Sequence, residues 1–248
     1  MKLLVIILCL FSERFLIHGI AHQRFNWFSQ YQRYIMRHAS HNKLFNNFII
    51  QWMMIILPLV LALIIILFLF GNWLWGLVGF LLNIIIFYYC LGPDNAFYPP
   101  AAELLKRGEN PAQPYFERVN SQLFTPVFWY LLLGPVMLFF YRINFLMDES
   151  APYAGLARKI NSILEWIPAR LTALCYLLAG HFQNGLAIYK QMFISGLNKN
   201  RELLGETGIA AARNAEENVS LPQAEQLVEQ ALIIYLAVFA VLIIAVWL

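Results

Sequence analysis

The chain has 248 residues, of which 60% are apolar, 16% aromatic and only 12% charged, with a net charge of +3. An ordinary soluble protein carries roughly 25% charged residues, and a surface built from so few charges suits lipid rather than water. The small net charge and the lack of any dense Lys/Arg run exclude a nucleic-acid-binding module.

The elements follow in chain order. Leu3–Phe11 is a short apolar run. The residues after it, Ser12-Glu13-Arg14-Phe15, lack the small-residue pattern of a signal-peptide cleavage site, so the run is expected to continue as a membrane-embedded or interfacial helix through Ile20. The connector 14–47 carries Arg14, Arg24, Arg33, Arg37 and Lys43 with no acid after Glu13, which places it on the cytoplasmic side by the positive-inside rule. Phe48–Phe70 holds one polar residue, Gln51, and Trp73–Leu91 holds one, Asn83. Gly71-Asn72 between them is short enough for a tight antiparallel hairpin. The connector 92–122 contains Gly92-Pro93-Asp94, Pro99-Pro100, Pro111 and Pro114, with a short helix expected near 101–107.

Leu123–Tyr141 is the third long apolar run, with Thr125 its one polar residue, and 142–162 connects it to an irregular segment, 163–180. That segment contains Glu165-Trp166-Ile167-Pro168-Ala169-Arg170. The connector 181–230 mixes Leu203, Leu204, Ile209 and Ala210–Ala212 with Arg201, Arg213 and several glutamates, which reads as an amphipathic helix against the membrane or the bundle. Residues 231–248 are apolar without a charge. A helix needs about 20 residues to cross a bilayer core of about 30 Å, and in lipid each backbone polar group must be satisfied within its own segment. The expected fold is therefore all-α: one membrane domain over 1–248, a polytopic bundle of about four to six membrane segments, one of them broken or re-entrant. Whether 163–180 spans or re-enters decides the side of 181–229 and of the C-terminus, and the loop charges leave both arrangements open.

The charges inside 163–180 are the most informative feature. Each costs about 2.5–3.5 kcal/mol on insertion, so each needs a partner or a cavity. Pro168 has no N–H for the Leu164 carbonyl, so a helix break is expected there, with Pro168 opening a new helix. Glu165 and Arg170 lie about 140° apart on a helix and are not an i,i+4 pair. Two readings follow: a polar site lined by a broken helix, or an interfacial cap with Ser162-x-x-Glu165 as a capping box and Arg170 snorkelling. Asp148 and Glu149, close to Arg142, are candidate acidic partners for Arg170 or lie in a solvated loop, and Glu13-Arg14 reaches the same polar centre or marks the interface.

Other chemistry is weakly signalled. His18 and His22 are four apart, without a third ligand, and with His38 and His41 they read as interfacial. Cys9, Cys90 and Cys175 are scattered in apolar runs, which argues against a zinc site or a disulfide framework. No nucleophile elbow and no phosphate loop is present.

From Glu117 to His181, Pro126-Val-Phe128-Trp129, Leu133-Gly134, Tyr141-Arg142 and Leu164-Glu165-Trp166-Ile167-Pro168-Ala169-Arg170-Leu171 resemble a superfamily with two branches. One is AmpE, an inner-membrane protein linked to β-lactamase induction. The other is the CbiB/CobD type of adenosylcobinamide-phosphate synthase of cobalamin biosynthesis. The synthases share a Glu-Asn-x-x-Asp pattern before the Pro-x-Phe-Trp element. Here Glu117 is kept while Arg118 and Ser121 stand in place of the amide and the second acid. Asn200 to Ala212 keeps only an echo of a second synthase element. The Glu13-Arg14 pair and Tyr176…Gly180-His181 are closer to AmpE.

The resemblance thus implies, first, a multi-pass bacterial inner-membrane signalling modulator, linked to β-lactamase induction, cell-wall recycling and antibiotic resistance, without catalytic residues, metal or cofactor. Its partners would be the bilayer and a small cell-wall-derived ligand, held by a polar site of Glu13, Arg14, Glu117, Arg142, Asp148, Glu165 and Arg170. The alternative is an ATP-dependent amide ligase using Mg·ATP, with Glu117, Asp148 and Glu165 as metal ligands or bases.

Overall fold

A computed structural model describes residues 2–15, 25–39, 47–71, 73–91, 111–148, 154–213 and 219–247. The expected helix at 101–107 and His18, His22, His41 and Glu149 lie outside the described residues, as do the side chains of Glu13, Arg14 and His38. Every described element is helical. The chain forms two compact units, Met1–Pro93 with Trp129–Asn161, and Asp94–Phe128 with Ser162–Leu248.

The first unit contains α1 (Lys2–Phe15), α2 (Asn26–Ala39), α3 (Phe48–Phe70), a 3-10 turn (Trp73–Gly76), α4 (Leu77–Cys90) and α7 (Pro135–Asp148). Asn47 caps α3 by accepting from the Ile49 N–H. At 23 residues α3 is long and apolar enough to cross a bilayer, and its outward side chains Ile49, Leu57, Leu61, Ile65 and Phe68 are all exposed. Lipid covers such a stripe without cost and water does not. The hairpin tip is tight: a Cβ on Gly79 of α4 would collide with the Gly71 carbonyl. The run 73–91, expected as a full span, gives its first turn to the 3-10 segment because Gly76 takes a left-handed φ of +85°. The remaining 14 residues of α4 reach only about 21 Å. The core joins Phe28 of α2, Ile55 and Ile56 of α3 and Ile143, Leu146 and Met147 of α7.

The apolar run 123–141 is also interrupted. A π turn at Asn120–Phe124 leads into α6 (Thr125–Leu133), and Gly134 at φ +87° separates it from α7. Pro126 explains the π turn: it lacks an N–H, and Thr125 bonds back to the Asn120 carbonyl with one extra residue in the loop. Gly134 followed by Pro135 explains the second break, with a left-handed glycine closing one helix and proline opening the next.

The second unit contains α5 (Ala112–Val119), α9 (Trp166–Ala179), α10 (Phe182–Met192), α11 (Asn200–Ala212) and α12 (Leu221–Trp247). α8 (Ala154–Leu164) leads into α9 through a bend of 51°. The break falls at Glu165. Pro168 lies in the first turn of α9, where a missing N–H leaves no bond unmade, and the first bond of α9 runs from the Ala169 N–H to the Glu165 carbonyl at 2.8 Å. Asn161 and Ser162 lie inside α8, so they open no capping box. α11 lies against the bundle: Leu203, Leu204, Gly205, Thr207, Gly208 and Ala211 are buried while Arg201, Glu202 and Glu206 are exposed. Gly205 and Gly208 let it approach α5, where a Cβ on Gly208 would lie 2.5 Å from the Phe116 ring.

By length and composition, two described helices can cross a membrane, Phe48–Phe70 and Leu221–Ala245, or three if the bent α8–α9 pair counts as one span. That is fewer than the four to six segments the apolar runs suggest, because glycine and proline cut two of those runs short. Cys9, Cys90 and Cys175 are buried thiols, which behave as small hydrophobes.

Two glycines give a paired test. A Cβ on Gly180 would strike the Ala211 carbonyl oxygen, with the carbonyl carbon at 2.9 Å, whereas one on Gly155 of α8 meets nothing within 4 Å. Gly180→Ala is expected to destabilise by about 1–3 kcal/mol. Gly155→Ala should stabilise by about 0.5–1 kcal/mol. Thermal or SDS unfolding of the detergent-purified protein reads both signs.

Candidate functional site

The charged residues of 163–180 meet in the second unit. Arg170 is 4% exposed, and its guanidinium donates to four acceptors. Nε reaches the Phe193 carbonyl at 2.8 Å, Nη2 the Ser195 carbonyl at 2.9 Å, and Nη1 both the Trp166 carbonyl and Asn200 Oδ1 at 2.9 Å. Its flat face lies 4.0 Å from the centre of the Trp166 ring. Asn200, at the start of α11, passes the connection on, its amide donating to the Ser162 carbonyl at 2.8 Å. The Tyr189 hydroxyl donates to the Arg170 carbonyl at 3.4 Å. Burial pushes that phenol above its ordinary value against the opposing pull of the nearby guanidinium, which keeps it protonated as a donor.

The sequence suggested that an acid meets Arg170. The structure assigns it main-chain carbonyls and an amide instead. Phe193 and Ser195 follow the C-terminus of α10, where carbonyls have no partner within the helix. A cation there satisfies them and complements the negative end of the helix dipole. Glu165 precedes α9 at its joint with α8 and is 9% exposed.

A second polar cluster lies beside it. Asn120 of the π turn donates to Thr125 Oγ1 at 3.2 Å and accepts from Thr172 Oγ1 of α9 at 3.0 Å. All three side chains are buried. Ser121 Oγ donates to the Arg118 carbonyl at 3.0 Å. Tyr235 of α12 donates to the Phe124 carbonyl at 3.4 Å and Tyr176 of α9 to the Phe116 carbonyl at 3.5 Å. Glu117 lies half-buried on α5, one turn before the π turn.

Arg142 and Asp148 belong to the first unit, on α7. Arg142 is fully buried. Its Nε donates to the carbonyl of Cys90, the last residue of α4, at 2.6 Å, and its guanidinium carbon lies 5.3 Å from the Phe145 ring centre. Asp148 pairs with Arg158 at 3.2 Å. Arg158 is 65% exposed, so the pair contributes at most about 1 kcal/mol. The sequence reading missed one cluster here. Asn144 accepts from Trp52 Nε1 at 2.8 Å and donates to the Ala157 carbonyl at 3.1 Å and Asn161 Oδ1 at 2.7 Å. Its one available signal was an asparagine two places after Arg142 in an apolar stretch. Among the described residues no group of three His, Cys, Asp or Glu side chains stands ready to hold a metal ion.

Replacing Arg170 tests the clamp. Arg170→Leu leaves the Phe193, Ser195 and Asn200 acceptors without their donor, at about 1–3 kcal/mol each. Trypsin should then cut at Lys199 and Arg201 markedly faster, with Arg170→Lys intermediate because one ammonium cannot span the four acceptors. Unchanged cleavage at those sites would remove the clamp account.

No family model matches the chain, and no solved structure matches it. Over 77 residues it is 34% identical to the cobalamin biosynthesis protein CobD of Chromobacterium violaceum. The shared stretch covers 28% of this chain and 25% of that protein, so the chain spans about a quarter of the curated relative it matches. That partial likeness supports a relation to the CobD proteins and no finer assignment.

Proposed function

We propose that this chain is an AmpE-like modulator in the bacterial inner membrane, multi-pass, acting on β-lactamase induction and cell-wall recycling rather than catalysing a ligation. One observation carries the reading. At the stretch that resembles the synthases' acid-bearing pattern, the chain has a π turn whose polar side chains bond within the protein: Asn120 to Thr125 and Thr172, Ser121 to the Arg118 carbonyl. An ATP-dependent ligase needs acids there as hard oxygen ligands for Mg²⁺. Ser121 and Arg118 supply none. Arg170, engaged by four acceptors, acts as a structural cation and not as a phosphate anchor.

The second reading, a CobD-like amide ligase, has the partial likeness to the Chromobacterium violaceum protein in its favour. Glu117 and Glu165 remain its candidate ligands or bases, while Asp148 is already paired with Arg158.

Deleting the gene and measuring β-lactamase induction separates the two, alongside Mg·ATP titration of the purified protein. The modulator reading expects altered induction and no nucleotide binding. Normal induction in the deletion strain overturns it, as does Mg·ATP binding together with rescue of a cobalamin-synthesis mutant.

A further inference from the structure

Not all the arginines are turned inward. α2 is an amphipathic helix whose inner side, with Phe28 and Gln32 buried, packs in the first unit. Its outer side presents a groove of about 530 Å³ lined by Trp27, Gln30, Tyr31, Arg33, Tyr34 and Arg37. Arg33 and Arg37 are exposed and one helical turn apart, which puts their side chains on the same face. The Arg33 Nε–H donates to the Ser29 carbonyl at 3.2 Å, which aligns its stem along that face.

The depth of α2 is fixed by Tyr31, whose hydroxyl donates to the Ile55 carbonyl of α3 at 3.2 Å. Ile55 is seven residues into α3, about 10 Å along its axis. α2 therefore lies beside the first turns of a membrane-spanning helix, at the depth of an interfacial helix. A second groove begins at the same level. Trp52, Met53, Ile56, Leu57, Val60, Leu61 and Phe140 enclose about 250 Å³ with no polar lining. Ile56 follows directly on the residue that Tyr31 bonds.

We infer that α2 and α3 together form a binding site for one anionic phospholipid of the bilayer, its phosphate on Arg33 and Arg37 and an acyl chain in the Trp52–Leu61 groove. The two guanidiniums match a phosphate in charge and hydrogen-bond geometry. Trp27 and Tyr34 suit the glycerol level, where amphipathic aromatic rings settle. The wholly apolar groove suits a hydrocarbon chain and offers nothing to a soluble anion. This site does not depend on whether the protein is a modulator or a ligase.

The test is native mass spectrometry of the full chain exchanged into nanodiscs of phosphatidylcholine alone or mixed with phosphatidylglycerol. The wild type should retain phosphatidylglycerol selectively. The Arg33→Gln/Arg37→Gln variant should bind it about 30-fold more weakly, the equivalent of about 1 kcal/mol per arginine. Arg33→Lys/Arg37→Lys should keep most of the preference. Leu57→Trp, at an exposed groove position, should lower retention of both lipids. Retention blind to headgroup overturns the site, as does competition by inorganic phosphate alone or a dimer that forms through α2 in place of bound lipid.

Discussion

Arg170 is the interaction on which the second unit depends. A guanidinium in an apolar segment is costly unless its donors are met, and here four acceptors meet it. The turn after α10 carries carbonyls that no helix satisfies, and Arg170 reaches two of them while Asn200 ties the same group to the end of α8. Ser162, the 193–195 turn and the start of α11 are therefore joined through Arg170 and its amide partner. From there α11 runs against α5, close enough that Gly208 admits no Cβ beside Phe116. Arg170 is the pin that joins these elements.

The first unit uses the same device. The Arg142 Nε donates to the carbonyl of Cys90 at the end of α4. The ammonium of Lys2 donates to the Leu131 carbonyl, in the last turn of α6, at 3.0 Å. In each case a cation from one helix covers the carboxyl end of another, where both hydrogen bonding and the helix dipole favour it. Within a bilayer, where water cannot serve those carbonyls, such caps are worth keeping even though each charge is expensive to bury. Tyr176 and Tyr235 do the neutral version of the same work around the π turn.

What the sequence made legible follows from the range of the forces involved. Phe48–Phe70 matches its helix residue for residue because a continuous apolar run is a local signal. Gly76, Pro126 and Gly134-Pro135 were also local signals, and weighing them against length would have divided the runs 73–91 and 123–141. The C-terminal helix starts at Leu221, ten residues before the apolar run at 231, because Pro222 to Gln230 favours a helix whose polar side chains need no lipid. The carbonyl partners of Arg170 were out of reach, since nothing in 193–200 marks those groups as acceptors for a residue more than twenty positions away. The Asn144 cluster was equally hidden: its partners Trp52 and Asn161 lie in separate segments. A buried polar group announces that it has a partner, but its own sequence does not say which.

This division of labour decides where function is to be sought. Arg142, Arg170 and Lys2 donate to carbonyls at or just beyond the carboxyl ends of helices, so each is costly to remove. Loss of such a cap disturbs the protein whatever it does, and an altered phenotype at Arg170 would therefore not identify a site. Arg33 and Arg37 are exposed on α2 and line a groove with Trp27 and Tyr34. In a chain with so few charges, losing one that caps a helix end reports on folding, so exposed charges are the better place to look for recognition.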